Sequence, residues 1–243
     1  MVVSIYKFKL YDGKDPRNLP AYSLQEASRY TQVPVDTLRS WVRGRSYPTE
    51  QDLKFSEPII KLPNVANASL SFTNLIETHV LSAIRRKHHL AMATVRNALD
   101  YLENEFKSEH PLADHDFETD GLDLFVEKYG KLINVSKSGQ MAMKDILSLY
   151  LKRIERDENG IARQLFPFTR SSIDAHDGEP KIVSIDPTVA FGKPVISGTG
   201  IPTAIVAERY KTGESIAEIA ADYQREIDEI EEAIRCEFEL KAA

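Results

Sequence analysis

The stretch AYSLQEASRYTQVPVDTLRSWVRGR, residues 21–45, reads as two short helices joined by a tight turn. Ser23 followed three residues later by Glu26 is a capping-box pattern, in which hydroxyl and carboxylate each satisfy a backbone N–H left over at a helix start. Leu24, Ala27 and Tyr30 then recur at helical spacing, and the first helix is expected to stop near Thr31. Pro34 suits the first turn of a second helix and Asp36 favours its positive end. Leu38, Trp41 and Val42 form its buried stripe before Gly44 ends it. The pattern is a helix-turn-helix, with Trp41 assigned to its core.

Two helices crossing steeply leave the outer face of the second one free. That face carries Asp36, Arg39, Ser40 and Arg43, with Arg45 just beyond. A helix of this width fits the DNA major groove, where arginine holds guanine bidentately or grips phosphate. An ordinary helical hairpin with solvated arginines is the alternative on sequence alone. Downstream, LKF at 53–55 and IIKL at 59–62 flank the turn residues Ser56, Glu57 and Pro58, which predicts a small hairpin. Beside a recognition helix such a hairpin can serve as a wing, with Lys54 and Lys61 as candidate phosphate contacts, and a surface loop is the competing reading.

The chain has 243 residues, enough for a substantial core and more than one domain. Its net charge of -6 is unevenly spread: residues 1–60 carry a net of +2 and 61–110 of +1, against -4 for 111–180 and -5 for 181–243. Nucleic acid, if bound, therefore belongs to the N-terminal half. A single cysteine, Cys236, excludes an internal disulfide, a cysteine-rich zinc site and a thiol pair, leaving an inert structural thiol. No apolar run reaches the length of a membrane span and the opening MVVSIYKFKLYDGKDP lacks signal-peptide features, so a cytoplasmic protein is expected.

The opening VVSIYKFKLY alternates enough for a short strand or arm within 1–20. LSFTNLIETHVLSAIRRKHHLAMATVRNALDYLENEF predicts a second helix pair, with Arg85, Arg86, Lys87 and Arg96 about its turn. FVEKYGKLINV reads as hairpin material around Tyr129-Gly130, and a helix capped by Ser138 is expected to run past Ile154 to Asn159-Gly160, followed by an extended IARQLFPF. His110, Asp114, His115 and Asp116 invite a metal reading but share no face of a regular element, so no metal is assigned. Residues 170–180, rich in Ser, Asp and Gly, form the best linker. Beyond it come two short extended runs around Asp186-Pro187, turn glycines at SGTG, and three helices over 201–210, 215–223 and 227–240. SGTG lacks the Lys-Ser/Thr of a phosphate-binding loop. The last helix holds seven acids against two arginines from Arg225 to Glu239, so phosphates would repel it. Its stripe of Ile227, Ile230, Ile234 and Phe238 points to a protein interface or self-association.

The order helix-turn-helix, hairpin, then a helix pair with VLSAIRR and VRNAL resembles the winged-helix DNA-binding domain of MerR-type regulators. Ser23, Glu26, Ala27, Thr37, Leu38, Arg39 and Trp41 carry that likeness. The chain lacks that family's long dimerising coiled coil and effector-binding cysteines. The run I-D-P-x-x-x-F-G-K-P-V-I-S-G-T-G-I-P from Ile185 to Pro202 closely resembles the G-T-R-I-P motif of a trihelical antitoxin family, with Gly200 where short members carry Arg. SFTNLIETHVL, HPLADHDF, GLDLF and YLKRIERD look like the middle of longer members. The resemblance implies a VapB-type antitoxin of a VapBC pair, partnered by a PIN-type ribonuclease toxin and by operator DNA.

The expected fold class is mainly α with short β-hairpins, a MerR-like winged helix-turn-helix plus a C-terminal trihelical helix-turn-helix-like module. The expected division is 1–20 arm, 21–110 DNA-binding domain, 111–169 hairpin and helix middle region, 170–180 linker and 181–243 antitoxin module. PIN ribonucleases hold metal with clustered carboxylates, so an antitoxin arginine could neutralise that site; Arg163, Arg170, Arg209 and Arg235 are the candidates. A homodimer is expected, because a single half-site reader gains specificity by symmetric pairing. No nucleophile-base pair or nucleotide loop appears, so no catalytic residue and no cofactor is assigned. A stand-alone DNA-binding transcription regulator without a toxin is the alternative function.

Overall fold

The structure is a computed structural model that describes residues 9–48, 52–64, 68–87, 92–114, 117–133, 136–170 and 178–238. It is mainly helical, with three separate two-stranded antiparallel sheets among the described residues. Helix α1, Leu24–Thr31, starts from Ser23 with both capping-box bonds in place. Gln32 in the left-handed region ends it, and α2, Val35–Arg43, follows from Pro34. Ala27, Tyr30, Leu38, Trp41 and Val42 are buried where the two helices pack. A two-stranded wing comes next, β1 Arg45–Pro48 against β2 Leu53–Ser56.

The wing is offset from the expected hairpin: Ile59 to Leu62 form no strand, and the partner of β2 lies upstream instead. The reason is the carbonyl of Trp41, which accepts from the N–H groups of Ile59 at 2.7 Å and Ile60 at 3.0 Å and so pins that segment to the end of α2. Gly44, with φ 71° and ψ -179°, lets the chain turn from α2 straight into β1. A side chain there would collide with the Ser56 carbonyl and the Phe55 ring. That backbone region is essentially glycine's alone. Gly44→Ala is therefore expected to displace the wing and cost about 1–3 kcal/mol of stability; a midpoint unchanged in chemical denaturation would contradict this.

Helices α3, Phe72–Lys87, and α4, Met92–Phe106, both stand where helices were expected, with Phe72, Leu75, Ile76, Val80, Ala83 and Ile84 all buried. Their main partners are not each other: α3 packs on α1 and on the helix over 137–151, and α4 on the helix over 122–133. The FVEKYGKLINV stretch is helical over 125–133 where a hairpin was expected, its last two residues lying outside those described. Leu122, Phe125, Val126 and Tyr129 repeat at helical spacing along α5, Leu122–Ile133, and bury one stripe, while Gly130 lies against Gln140. The next helix, α6 Lys137–Leu151, is capped by Ser136 rather than Ser138 and stops well before Ile154. Ile154 opens β3, Ile154–Arg156, which pairs with β4, Ala162–Leu165; Asn159-Gly160 closes that hairpin instead of ending a helix. The strand expected at the opening falls on residues outside those described, save for a short 3-10 turn at Lys9–Tyr11.

One apolar core runs from Tyr22 to Ile185 and joins the helix-turn-helix, α3 to α6 and the β3–β4 hairpin. Isolating such a core from water is the main force holding these elements in register. Arg153 is buried within the fold and spans the approach to the C-terminal third. Its guanidinium donates to the carbonyls of Phe166, Pro167, Glu179 and Pro180. Thr169 bridges the buried carboxylates of Glu179 and Glu232, and Arg170 and Arg235 supply the opposite charge.

The C-terminal third begins with β5, Val183–Ser184, paired with β6, Val195–Ile196, and continues through α7 Thr203–Lys211, α8 Ile216–Tyr223 and α9 Ile227–Phe238. Ile196, Val206, Ile219, Ile230 and Ala233 form a second, smaller core. The buried stripe of α9 is rotated from the expected one. Ile230, Ala233 and Cys236 turn inward, because α9 packs on α7 and β5, whereas Ile227 is 51 % and Phe238 39 % exposed. Cys236 is fully enclosed, and burial pushes its thiol pKa up, away from reactivity.

Candidate nucleic-acid interface

The outer face of α2 is a polar surface. Asp36, Arg39 and Arg43 are exposed and Ser40 half-buried. Arg39 pairs with Asp36 one turn earlier, and the Ser40 hydroxyl turns back to donate to the Thr37 carbonyl at 2.7 Å. Arg43 lies in the last turn, where the helix dipole favours a cation, and Arg45 opens the wing two residues later.

Antiparallel partners share a face, so the register sorts the wing into two surfaces. Arg45 opposite Ser56 and Tyr47 opposite Lys54 form one, while Ser46 opposite Phe55 and Pro48 opposite Leu53 form the other. The first surface is cationic with an aromatic in its middle. The second is apolar, with Phe55 against Gly44. The structure thus brings Arg45 and Lys54 together beside α2. Lys61 is elsewhere, beyond the wing, with its ammonium 2.9 Å from Glu103 on α4, and that carboxylate holds its pKa above the ordinary lysine value. Tyr47 was missed from sequence, since its place between two cations depends on a strand pairing offset from the expected one. The side chains of Arg85, Arg86 and Lys87 lie outside the described residues; Arg96 donates to the Glu57 carbonyl just after the wing.

The four arginines considered for a toxin each face an acid. Arg209 is forked by Glu214 and Asp222 and lies over the Tyr223 ring at 4.9 Å. Arg170 and Arg235 both reach Glu232, at 3.1 and 3.0 Å. Arg163 is the most exposed, and its Nε is 3.7 Å from Asp186. No group of three or more metal-ligating side chains is gathered among the described residues. His110 instead lies 3.1 Å from the buried Glu77, which lifts the imidazole pKa against a smaller cost of burial; His115 and Asp116 are outside the described residues. The SGTG segment is a turn closed by Thr199, whose N–H and hydroxyl both donate to the Ile196 carbonyl. No helix among the described residues is long and apolar enough to cross a membrane.

Comparison with known proteins agrees with this layout. Residues 20–99 match the family described as "Putative DNA-binding HTH domain", and residues 183–235 match the family described as "Protein of unknown function (DUF433)". A Mycobacterium tuberculosis protein named "Putative antitoxin VapB45" is 30% identical over 234 residues, which cover 89% of this chain and 93% of that one. The "Uncharacterized protein Rv2308" of the same organism is 24% identical, covering 88% of each chain. The crystal structure of RV2018 from M. tuberculosis superposes with a TM-score of 0.63 at 25% identity, covering 89% of this chain and 98% of that one. With its two motifs in the same order and an antitoxin relative aligned along nearly the whole length of both, the chain belongs to the VapB-type antitoxin family.

Proposed function

We propose that this antitoxin binds operator DNA through α2 and the cationic face of its wing, represses its own operon, and neutralises a PIN-type ribonuclease toxin by direct binding. The observation that carries the DNA half is the placing of Arg39 and Arg43 on an exposed helix face directly beside Arg45 and Lys54. A helix with a ribbon at its end has the shape to put one in the major groove and the other on the backbone. In this reading Asp36 and Ser40 help read base edges or orient the arginines, and Lys61 is a peripheral contact that must first leave Glu103. Residues 21–110 act as the reader, 111–169 as its support, 170–180 as the connection and 181–243 as the antitoxin module.

Family membership supports the toxin half, and Arg163 is the first candidate to reach a toxin carboxylate because its own acid is the most distant of the four. A homodimer in the cytoplasm, with no catalytic role, completes the reading. The test is co-expression with a small ribonuclease encoded beside this gene, followed by purification and titration with DNA from upstream of the gene. Relief of growth arrest, co-purification and a retarded duplex are expected. DNA binding with neither relief nor co-purification would leave a stand-alone regulator, and loss of all three would end the proposal.

A further inference from the structure

Helix α1 has a second face that the helix-turn-helix core does not use. Glu26, Arg29 and Gln32 follow one another at intervals of three, and each is held from outside the motif. Lys193 pairs with Glu26. Arg29 reaches Glu237 on α9 at 2.7 Å. The Gln32 amide donates to the carbonyls of Phe168 and Arg170, both at 3.0 Å. Glu237 is itself fixed, since it accepts from Thr203 at the start of α7 at 2.6 Å.

The loop that delivers Lys193 is bent to the task. Ala190, Phe191 and Gly192 are consecutive left-handed residues, with φ of 46°, 54° and 75°. Such a run is costly for alanine and phenylalanine and persists only where its surroundings over-determine it. Here Gly192 backs onto the Tyr22 hydroxyl so closely that a Cβ would collide with it. Tyr11 ties the same loop by donating to the Pro187 carbonyl at 2.9 Å. The F-G-K-P motif of the C-terminal third is therefore a seat for the first helix of the reader. Glycine admits the close approach and lysine makes the ion pair.

We propose that Glu26 and Arg29 are positioning residues: through them the C-terminal module fixes the tilt of α1, with Gln32 at its end held by the segment that leads to the module, and so sets the presentation of α2 to DNA. The inference rests on the DNA-binding reading above. A helix-turn-helix needs its first helix braced across the backbone for the second to lie in the groove, so a change of tilt weakens binding without removing any DNA contact. By linkage, the factor by which seating of the module raises DNA affinity is the factor by which bound DNA favours the seated module.

The experiment uses the full chain and a labelled duplex from upstream of its own gene, titrated by fluorescence anisotropy at several salt concentrations. Arg29→Glu and Lys193→Glu are each expected to weaken binding about tenfold with an unchanged salt slope, because neither residue meets phosphate. The swap Arg29→Glu with Glu237→Arg is expected to restore affinity to within about threefold, which general destabilisation would not do. Lys193 is half exposed and outside the core, so its variant keeps the test open should the α9 change impair folding. Arg29→Glu and Lys193→Glu binding as the wild type does would overturn the inference alone. A salt slope lowered by about one in either variant would do the same, by showing a direct phosphate contact. A wild-type chain that ignores the duplex, or binds it without Arg39 and Arg43, would bring down the DNA-binding reading together with this one.

Discussion

Replacing Arg39 and Arg43 together by alanine is expected to weaken operator binding by roughly 2–6 kcal/mol, at about 1–3 kcal/mol for each arginine that grips a base edge. That is a loss of more than about thirtyfold, the largest effect on DNA binding anywhere in the chain. Both guanidiniums are on the exposed face of α2, so their removal leaves the buried stripe of Leu38, Trp41 and Val42 untouched and the fold intact. The slope of log affinity against log salt should fall by about one for each arginine that meets a phosphate rather than a base. Anisotropy titrations over a range of salt decide between the two roles, and equal affinity for variant and wild type would remove α2 from the interface.

Arg153→Ala is expected to cost about 3–5 kcal/mol, the largest single loss of stability. The guanidinium is buried and donates to four carbonyls on two segments that pack no regular element of their own. Two of those acceptors belong to Pro167 and Pro180, which have no N–H with which to build a compensating ladder. Burial lowers the Arg153 pKa, yet Glu179 and Glu232 keep the charge compensated. Removing it leaves buried oxygens without a donor. For a chain of this length the midpoint of thermal unfolding should drop by roughly 10 °C, and Arg153→Lys should recover little because an ammonium has no planar fork. A shift of less than about 2 °C would show that water or neighbouring groups take the arginine's place.

The helix-turn-helix could be read from residues 21–45 because its signals are local. Ser23 and Glu26 cap a helix three residues apart, Pro34 and Gly44 punctuate, and the apolar spacing needs nothing beyond one helical face. The same holds for the three C-terminal helices, where Ser215 and Glu218 repeat the capping box. The wing was displaced because strand pairing is a choice among partners. Leu53 to Phe55 show strand character, but which segment they pair with was settled by the Trp41 carbonyl, a contact invisible in the spacing. FVEKYGKLINV was misread because Tyr-Gly resembles a turn. In α5 the glycine is tolerated, since Phe125, Val126 and Tyr129 are buried in a core assembled from distant helices.

The candidate DNA contacts on α2 were legible for the same local reason, whereas Tyr47 and the remoteness of Lys61 from the wing were not. The four arginines of the toxin reading could not be ranked until their acids were known. Glu232 meets Arg235 one turn away on the same helix, but Glu214 and Asp222 reach Arg209, Glu232 reaches Arg170 and Asp186 reaches Arg163 from outside the arginine's own element, and only folding sets those distances.

By itself, the sequence determined where the chain turns helical at its two ends, which face of α2 stays polar, and that positive charge gathers at the head and negative charge at the tail. These follow from periodicity, capping and composition, each acting within a few residues or by simple addition. Only the tertiary structure decided that the acidic tail is seated on the first helix of the basic head, through Glu26 and Arg29, and that Arg153 gathers the chain before it. Ion pairs between residues more than 160 positions apart leave no periodic trace, because their partners are chosen by the packing of everything between them.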